Sequence, residues 1–139
     1  MTDIAAAKNS LSGHSICLCK NGDIITDDGR GISPMMKLIS KKRDLRGYAA
    51  ADLIVGKAAA MLFVSAGIKE VFAKTISRPG AEYLSSHGIP YSYEIFTERI
   101  INRAGDDVCP MEKAVENISD AEEGYKALKK RLEELKAKT

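Results

Sequence analysis

Residues 48–67, YAAADLIVGKAAAMLFVSAG, decide the fold. Residues 48–54 are small and apolar, which is typical of a strand covered on both faces of a sheet. Residues 55–66 follow without a turn signal and are apolar almost all round, so they predict a buried helix. Gly67 is the natural C-cap of that helix, because glycine adopts a positive φ freely. A buried strand that leads straight into a buried helix indicates an α/β domain.

Patterns on both sides of this unit complete the predicted architecture. Asn21-Gly22 is a strong hairpin signal, and Ser33-Pro34 suits the N-cap and first residue of a helix. In chain order the predicted elements are a helix at 4–11, strands at 15–20 and 23–26, a helix from Ser33, the 48–67 unit, a strand at 69–76, a helix opened by Ser77-Arg78-Pro79, a strand at 89–96, a short helix at 97–103, a helix at 109–118 and a last helix at 120–138 opened by a Ser119/Glu122 capping box. We therefore expect an α/β domain, a three-layer α-β-α arrangement around a mixed sheet of about five strands.

Composition narrows the class of protein. The 139 residues suit a single domain over 1–139 that needs no disulfides. The net charge of +2 gives no general attraction to nucleic acid or to a membrane surface. The first residues lack a signal-peptide pattern, and no apolar run is long enough to cross a bilayer. Three cysteines at unhelpful spacings are typical of reduced thiols, so we expect a cytoplasmic protein.

Several motifs resemble one family of small prokaryotic proteins, known only as a domain of unknown function and placed in the cytidine deaminase-like fold. The resemblance rests on four segments: Gly31-Ile32-Ser33-Pro34, residues 52–60, Ile101-Asn102-Arg103 and Cys109-Pro110-Met111-Glu112. It extends from about Ser15 to Ile118. The resemblance implies the fold and a cleft at the carboxyl end of the central strands, and it implies no activity.

The zinc chemistry of deaminases is missing from the sequence. Zinc-dependent deaminases hold their metal with an H-x-E motif at one helix start and a P-C-x-x-C motif at the next. In this sequence, residues 52–57 occupy the place of the first motif and residues 75–79 that of the second, and neither segment contains the motif. His14 and His87 have no partner at ligand spacing. We therefore expect no metal, no cofactor and no zinc-dependent deamination.

Asp52, Gly56 and Lys57 are the first candidate ligand-binding residues. Asp52 interrupts an apolar strand, and Lys57 opens an apolar helix, where a lysine can hold a phosphate or act as an amine of lowered pKa. Gly56 between them would allow a ligand or another backbone to approach closely. The structural alternative is that Asp52 caps the helix and pairs with Lys57, or that Lys57 extends to solvent.

Cys109 and Glu112 are candidates for catalysis, together with Lys57. Cys109 precedes Pro110 at a predicted helix start, where the dipole favours a thiolate. Glu112 lies three residues on and suits a capping acid or a general base. The structural alternative is a buried cysteine, which is common.

Polar residues at other element ends add candidates for ligand binding. Ser77, Asn102 and Arg103 follow strands or short helices, and an arginine there can hold a phosphate bidentately. The Gly29-Arg30-Gly31 loop leads into a helix N-terminus, which can bind an anion or simply turn the chain.

Two surface features suggest partners. Lys41-Lys42-Arg43 with Arg46 falls at a predicted helix end without interleaved aromatic residues, so it predicts a solvated end and no nucleic-acid site. The row of Tyr125, Leu128, Leu132 and Leu135 in the last helix would pack on its own domain or join two copies as a homodimer.

Three functions from different classes are consistent with the sequence. The first is a binding module for a nucleotide-like or phosphorylated small molecule in a deaminase-type cleft without zinc. The second is a metal-free enzyme with Lys57 or Cys109 as nucleophile. The third is an oligomerising interaction protein. We prefer the binding module, because it requires no complete catalytic set.

Overall fold

The computed structural model describes residues 1–137, and they form an α/β domain around one mixed sheet. The elements in chain order are α1 (Asp3–Asn9), β1 (Ile16–Lys20), β2 (Asp23–Asp27), α2 (Ser33–Ser40), β3 (Ala49–Val55), α3 (Lys57–Ala66), β4 (Glu70–Ser77), α4 (Arg78–Ser86), β5 (Tyr91–Thr97), α5 (Pro110–Val115) and α6 (Ala121–Ala137). Five strands lie in the order β2-β1-β3-β4-β5. This is the predicted architecture.

The sheet joins an antiparallel hairpin to a parallel half. β1 pairs antiparallel with both β2 and β3, whereas β3, β4 and β5 run parallel. The hairpin turns at Asn21 and Gly22, whose φ values are +48° and +84°. Both residue types tolerate that region, which is why the sequence pair predicted the turn. The carboxyl ends of β3, β4 and β5 therefore meet at one edge of the sheet.

The two faces of the sheet are covered unequally. Leu18, Ala50 and Val71 are in register across β1, β3 and β4, and they lie in the main core with the buried side chains of α2–α6. The alternate row contains Cys17, Ala51 and Phe72, which α1 covers in a smaller cluster. Since neighbouring side chains of a strand point to opposite faces, these rows define three layers.

The unit at residues 48–67 folds as predicted, with one refinement. β3 extends to Val55, Gly56 stands between the elements, and α3 begins at Lys57. The first six residues of α3 after Lys57 are buried, and Gly67 ends the helix with φ of +77°. The strand and helix are thus joined by a single residue, which places the N-terminus of α3 directly at the carboxyl end of β3.

The last helix packs on its own domain. Leu128 is fully buried, and Tyr125, Leu132 and Leu135 pack against the main core. A Cβ at Gly124 would lie 2.6 Å from the Met61 methyl carbon, so a glycine there lets α6 approach α3 closely. The leucine row therefore lies within the chain rather than at a free helix face.

Three local predictions were wrong. Residues 98–103 form no helix, because an isolated bridge between Ile101 and Val108 and a turn hold this segment instead. Ile32 and not Ser33 takes the N-cap position of α2. Asp120 and not Ser119 caps α6, since its carboxylate accepts a hydrogen bond from the Glu123 N–H at 2.9 Å.

No helix within residues 1–137 is long and apolar enough to pass through a lipid bilayer.

Candidate functional site

A cleft of about 930 Å³ opens at the carboxyl end of β3. Its walls come from the loop before α2, the end of β3, the first turn of α3, the segment after β5, the start of α5 and the end of α6. The lining includes Asp28, Gly29, Arg30, Gly31, Ile32, Ser33, Asp52, Leu53, Ile54, Gly56, Ala58, Ala59, Ile100, Ile101, Asn102, Arg103, Cys109, Pro110, Met111, Glu112, Leu132 and Leu135. Most of the predicted polar candidates thus lie around one cleft whose other lining is largely apolar.

The helix N-termini at this cleft are those of α2, α3 and α5, and the N-terminus of α4 lies outside it. Ser77 lies outside the cleft and is fully buried. Its hydroxyl accepts a hydrogen bond from the Gly80 N–H at 3.1 Å, which caps α4. A Cβ at Gly80 would lie 2.8 Å from the Val55 carbonyl oxygen. The start of α4 therefore packs against the β3–α3 junction, and Ser77 has a structural role there.

Glu112 closes the N-terminus of α3. Its two carboxylate oxygens accept hydrogen bonds from the N–H groups of Lys57 and Ala58, at 2.8 and 2.9 Å. Burial raises the pKa of this carboxyl, and the two backbone hydrogen bonds oppose the rise. A Cβ at Gly56 would lie 2.6 Å from the carboxyl carbon, so glycine is required for this approach. Glu112 supplies the anion that a helix N-terminus favours.

Asp52 lies inside the cleft, and no cation among residues 1–137 pairs with it. Its side chain is only 7 % exposed. One oxygen, Oδ1, accepts a long hydrogen bond from the Ile54 N–H at 3.3 Å. Burial raises the pKa of Asp52 to about 7, although the backbone N–H groups of Ile54 and Leu53 oppose the rise. A carboxyl group with this environment is half ionised near neutral pH.

Lys57 does not pair with Asp52. Its amine donates a hydrogen bond to the carbonyl oxygen of Glu116 at 3.1 Å and lines a different cavity. Asp52 also does not cap α3, because Glu112 occupies that position. The structural alternative for the two residues, helix capping and an ion pair, is therefore wrong.

Asn102 and Arg103 come to the cleft in different ways. The Asn102 side-chain oxygen accepts hydrogen bonds from the N–H groups of Gly105 and Asp106, at 2.9 and 3.2 Å, which builds the turn. Arg103 is exposed and has no ion-pair partner within residues 1–137, and the same holds for Arg30 on the opposite loop. The cleft is thus bordered by two guanidinium groups that the described protein leaves unpaired.

Cys109 occupies the N-cap position of α5 and is half-buried at the cleft. The other two thiols, Cys17 and Cys19, are buried under α1, and burial raises the pKa of Cys17. Neither histidine lines the cleft in the part of the chain described: His14 pairs with Asp28 at 2.6 Å, and His87 stacks on Tyr83. Among residues 1–137, no three His, Cys, Asp or Glu side chains are grouped so as to hold a metal ion.

A second cavity of about 820 Å³ lies on the far side of Glu112. Its cations are mostly satisfied by the protein. Arg78 pairs bidentately with Glu98, both contacts at 2.8 Å, and Lys113 pairs with Asp107. Lys57 is held by the Glu116 carbonyl.

The sequence patterns missed how Glu112 is used. Gly56 at the N-cap of a buried helix offers no side-chain cap, and this was the available signal that another segment supplies one. The contribution of Leu132 and Leu135 to the cleft wall gave no signal, because helical spacing shows a row but not its contact.

Comparison with solved structures supports the fold. The chain superposes on a crystal structure of a DUF1893 family protein from Thermotoga maritima with a TM-score of 0.79 and 26% identity, covering 86% of this chain and 82% of that one. Weaker likenesses are to an apo dCMP deaminase from cyanophage S-TIM5 (TM-score 0.44, 16% identity, 57% of this chain and 78% of that one) and to a diaminohydroxyphosphoribosylaminopyrimidine deaminase/5-amino-6-(5-phosphoribosylamino)uracil reductase from Thermotoga maritima (0.45, 16%, 66% and 35%).

No curated protein matches the sequence. The family profile described as a domain of unknown function (DUF1893) matches residues 6–132, which is most of the chain. The chain therefore belongs to the DUF1893 family.

Proposed function

We propose that this protein binds a nucleotide-like or phosphorylated small molecule in the cleft at the end of β3, without zinc. One observation carries the proposal: Arg30 and Arg103 line the cleft and have no acidic partner within residues 1–137. Of the other arginines in the described chain, Arg99 lines the second cavity and is also unpaired. The remaining four are paired, namely Arg43 with Asp23, Arg46 with Asp44, Arg78 with Glu98 and Arg131 with Glu134. Unpaired guanidinium groups at a cleft suit an anionic ligand.

The remainder of the cleft suits the non-ionic part of such a ligand. Its volume of about 930 Å³ falls within the range of small-molecule sites. Ile54, Ile100, Ile101 and Leu132 supply apolar surface. Asp52 adds a polar group that could orient a ring or a sugar, whereas the Asn102 amide is engaged with Gly105 and Asp106 in the turn that precedes α5. A ligand with an apolar ring and a terminal anion would use all three kinds of group.

Calorimetry with a panel of nucleotides and sugar phosphates tests this function. Binding should weaken by roughly tenfold in Arg103→Ala and in Arg30→Ala, because each loses one charge-assisted contact. Arg99→Ala is the matched control, since Arg99 is exposed on the same segment but lines the other cavity. If no anionic compound in the panel binds, or if Arg99→Ala weakens binding as much as Arg103→Ala, the proposal is wrong.

A metal-free enzyme is the second candidate, and the position of Cys109 favours it. Cys109 lines the cleft and stays half-buried, whereas Lys57, the other candidate nucleophile, lines the second cavity. Iodoacetamide labelling followed by peptide mapping tests this role. A catalytic Cys109 should react faster than a free thiol, and reaction at the rate of a free thiol or below it would remove the candidate.

We propose that the protein associates with a second copy of itself. The exposed side chains at the sheet edges suggest where the two copies would meet. At the β2 edge, Asp23 and Asp27 hold ion pairs with Arg43 and Lys37. The β2 edge exposes one large apolar side chain, Ile24, whereas the β5 edge exposes Tyr93, Ile95 and Phe96. Exposed apolar edge strands tend to pair with another chain. Light scattering should show a dimer that Ile95→Lys separates into monomers.

The three free cysteines support a location in the reducing cytoplasm.

A further inference from the structure

Asp52 is the buried polar side chain of the cleft, and its hydrogen-bonding capacity is only partly satisfied by the described protein. It lies in β3, in register with Ile16 of β1 and Ala73 of β4. Those apolar neighbours offer it no donor. An ionised carboxylate can accept about four hydrogen bonds, but Asp52 is served only by backbone N–H groups of the two residues that follow it. No lysine or arginine within residues 1–137 pairs with it.

The two buried carboxyl groups of the cleft therefore differ in kind. Glu112 has both oxygens engaged by the N–H groups of Lys57 and Ala58. Asp52 is more deeply buried, yet it has one long hydrogen bond at 3.3 Å. Burying a carboxylate without adequate donors is costly, and a ligand that brings donors offsets that cost. Asp52 thus keeps, at the cleft, acceptor capacity that the described protein does not use.

We propose that the ligand presents to Asp52 a pair of adjacent N–H donors on a flat ring, the arrangement of a 2-amino-4-oxo heterocycle such as guanine. A carboxylate accepts two parallel hydrogen bonds from such an edge, as it does from a guanidinium group. The apolar lining contacts the ring faces, and the anionic end of the same ligand meets Arg30 and Arg103. This inference rests on the proposed function and specifies the ligand class for that site.

The closed N-terminus of α3 supports this orientation. A phosphate would otherwise bind favourably to the N–H groups of a helix start. Here the Glu112 carboxylate already accepts from those N–H groups, and its negative charge repels a second anion. The anionic end of a ligand is therefore directed to the two arginines, and its ring is left to face Asp52.

Three nucleotides that differ at one position test the proposal on the unaltered protein. Guanosine 5′-monophosphate carries the paired donors, inosine 5′-monophosphate lacks the exocyclic amino group, and xanthosine 5′-monophosphate has a carbonyl there. Calorimetry at pH 8 should give an affinity for the guanosine compound at least about tenfold above the other two, as expected for one well-placed bidentate pair. Equal affinities for all three would overturn the inference while leaving the proposed function in place.

Asp52→Asn separates recognition from a structural role. An amide presents one acceptor and one donor, so the preference should move from the guanosine towards the xanthosine compound. Asp44→Asn is the matched control, because it makes the same chemical change at an exposed aspartate that does not line the cleft. It should keep the wild-type order of affinities. An unchanged order in Asp52→Asn would overturn the inference, and failure of every nucleotide to bind the wild type would overturn the proposed function with it.

Discussion

Two cavities lie on either side of Glu112, and they differ in what their charged groups contact. In the smaller one, Arg78 pairs with Glu98, and Lys113 pairs with Asp107. In the larger cleft, Arg103 and Asp52 have neither each other nor another charged partner within residues 1–137. Both cavities have similar volumes, about 820 and 930 Å³, so size does not distinguish them. The buried carboxyl of Asp52 does, because the second cavity also has an unpaired cation among the described residues, Arg99.

The difference teaches how a binding site can be recognised without a bound ligand. Charged groups that the protein has paired stabilise the fold a little and attract no ligand strongly, since their partners already satisfy them. A buried carboxyl without a cation destabilises the folded state instead. Carboxyls of this kind are common at functional sites, and for this reason we propose a ligand contact at Asp52 rather than at Lys57.

The largest expected effect comes from displacing Glu112, which lies between the two cavities. Gly56→Ala places a methyl group 2.6 Å from the Glu112 carboxyl carbon, and the carboxylate must leave the N–H groups of Lys57 and Ala58. We expect a loss of about 4 kcal/mol in the free energy of unfolding, from the steric overlap and the two lost hydrogen bonds. Urea denaturation monitored by circular dichroism measures it.

Glu112→Ala supplies the control for that prediction. Without the carboxylate, the three atoms that the methyl group at position 56 would overlap are absent, so Gly56→Ala should cost far less in the Glu112→Ala background than in the wild type. If the two costs are equal, the close approach of Glu112 to Gly56 does not explain the glycine.

A pH-dependent effect is expected next, from Asp52. Its pKa is about 7 in the folded protein against 3.8 for the ordinary side chain. The folded state therefore holds the proton more tightly than the unfolded chain, and Asp52 lowers stability progressively as the pH rises from about 4 to 7. Asp52→Asn removes this loss. At pH 8 the variant should be more stable than the wild type by on the order of 3 kcal/mol, and near pH 4 by almost nothing.

Denaturant unfolding of both proteins at the two pH values checks this prediction. The exposed Glu133→Gln change is the control and should alter stability at neither pH. A stability difference of the same size at pH 4 and pH 8 would show that the amide acts through packing rather than through the charge. A stabilised variant that also loses its ligand preference would show that Asp52 is kept at the expense of stability.

Sequence reasoning predicted the fold far better than the use of each site residue. The strand at residues 48–54 and the apolar helix after it determine their own conformations, because their patterns are local. Which side chain meets which N–H depends on α5, which is more than fifty residues from Gly56 along the chain. The interpretation that Asp52 pairs with Lys57 rests only on their proximity in sequence. The side chain of Lys57 instead follows the first turn of α3 towards Glu116.

The segment after β5 shows the same limit. Residues 97–103 contain helix-forming types, yet the Asn102 side chain accepts hydrogen bonds from Gly105 and Asp106 N–H groups and stabilises a turn instead. The sequence shows that asparagine is a residue type that can form such hydrogen bonds. Whether it forms them or leaves the backbone helical depends on the surrounding packing. That choice is what carries Arg103 to the cleft.

A moderate effect on stability is expected from Glu112→Gln. The amide oxygen can still accept a hydrogen bond from one of the two N–H groups, of Lys57 or Ala58. The amide NH2 then faces the second N–H group, so one hydrogen bond is lost. We expect a loss of about 1.5 kcal/mol. Glu116→Gln is the control, since Glu116 contributes only its backbone carbonyl to Lys57. An equal loss in both variants would mean that the Glu112 charge, rather than its position at α3, stabilises the fold.

The smallest effect is expected in the second cavity, at the ion pair between Arg78 and Glu98. Arg78→Ala removes the bidentate contact with Glu98 and the stacking of the guanidinium over Phe96, 5.2 Å from its ring centroid. Arg78 and Glu98 are both largely exposed, so water and salt screen the pair, and the melting temperature should change little. Nucleotide affinity should also be unchanged, in contrast to Arg103→Ala. Affinity that falls equally in the two variants would mean that ligand reaches both cavities, and that the absence of a paired acid at Arg103 does not mark the site.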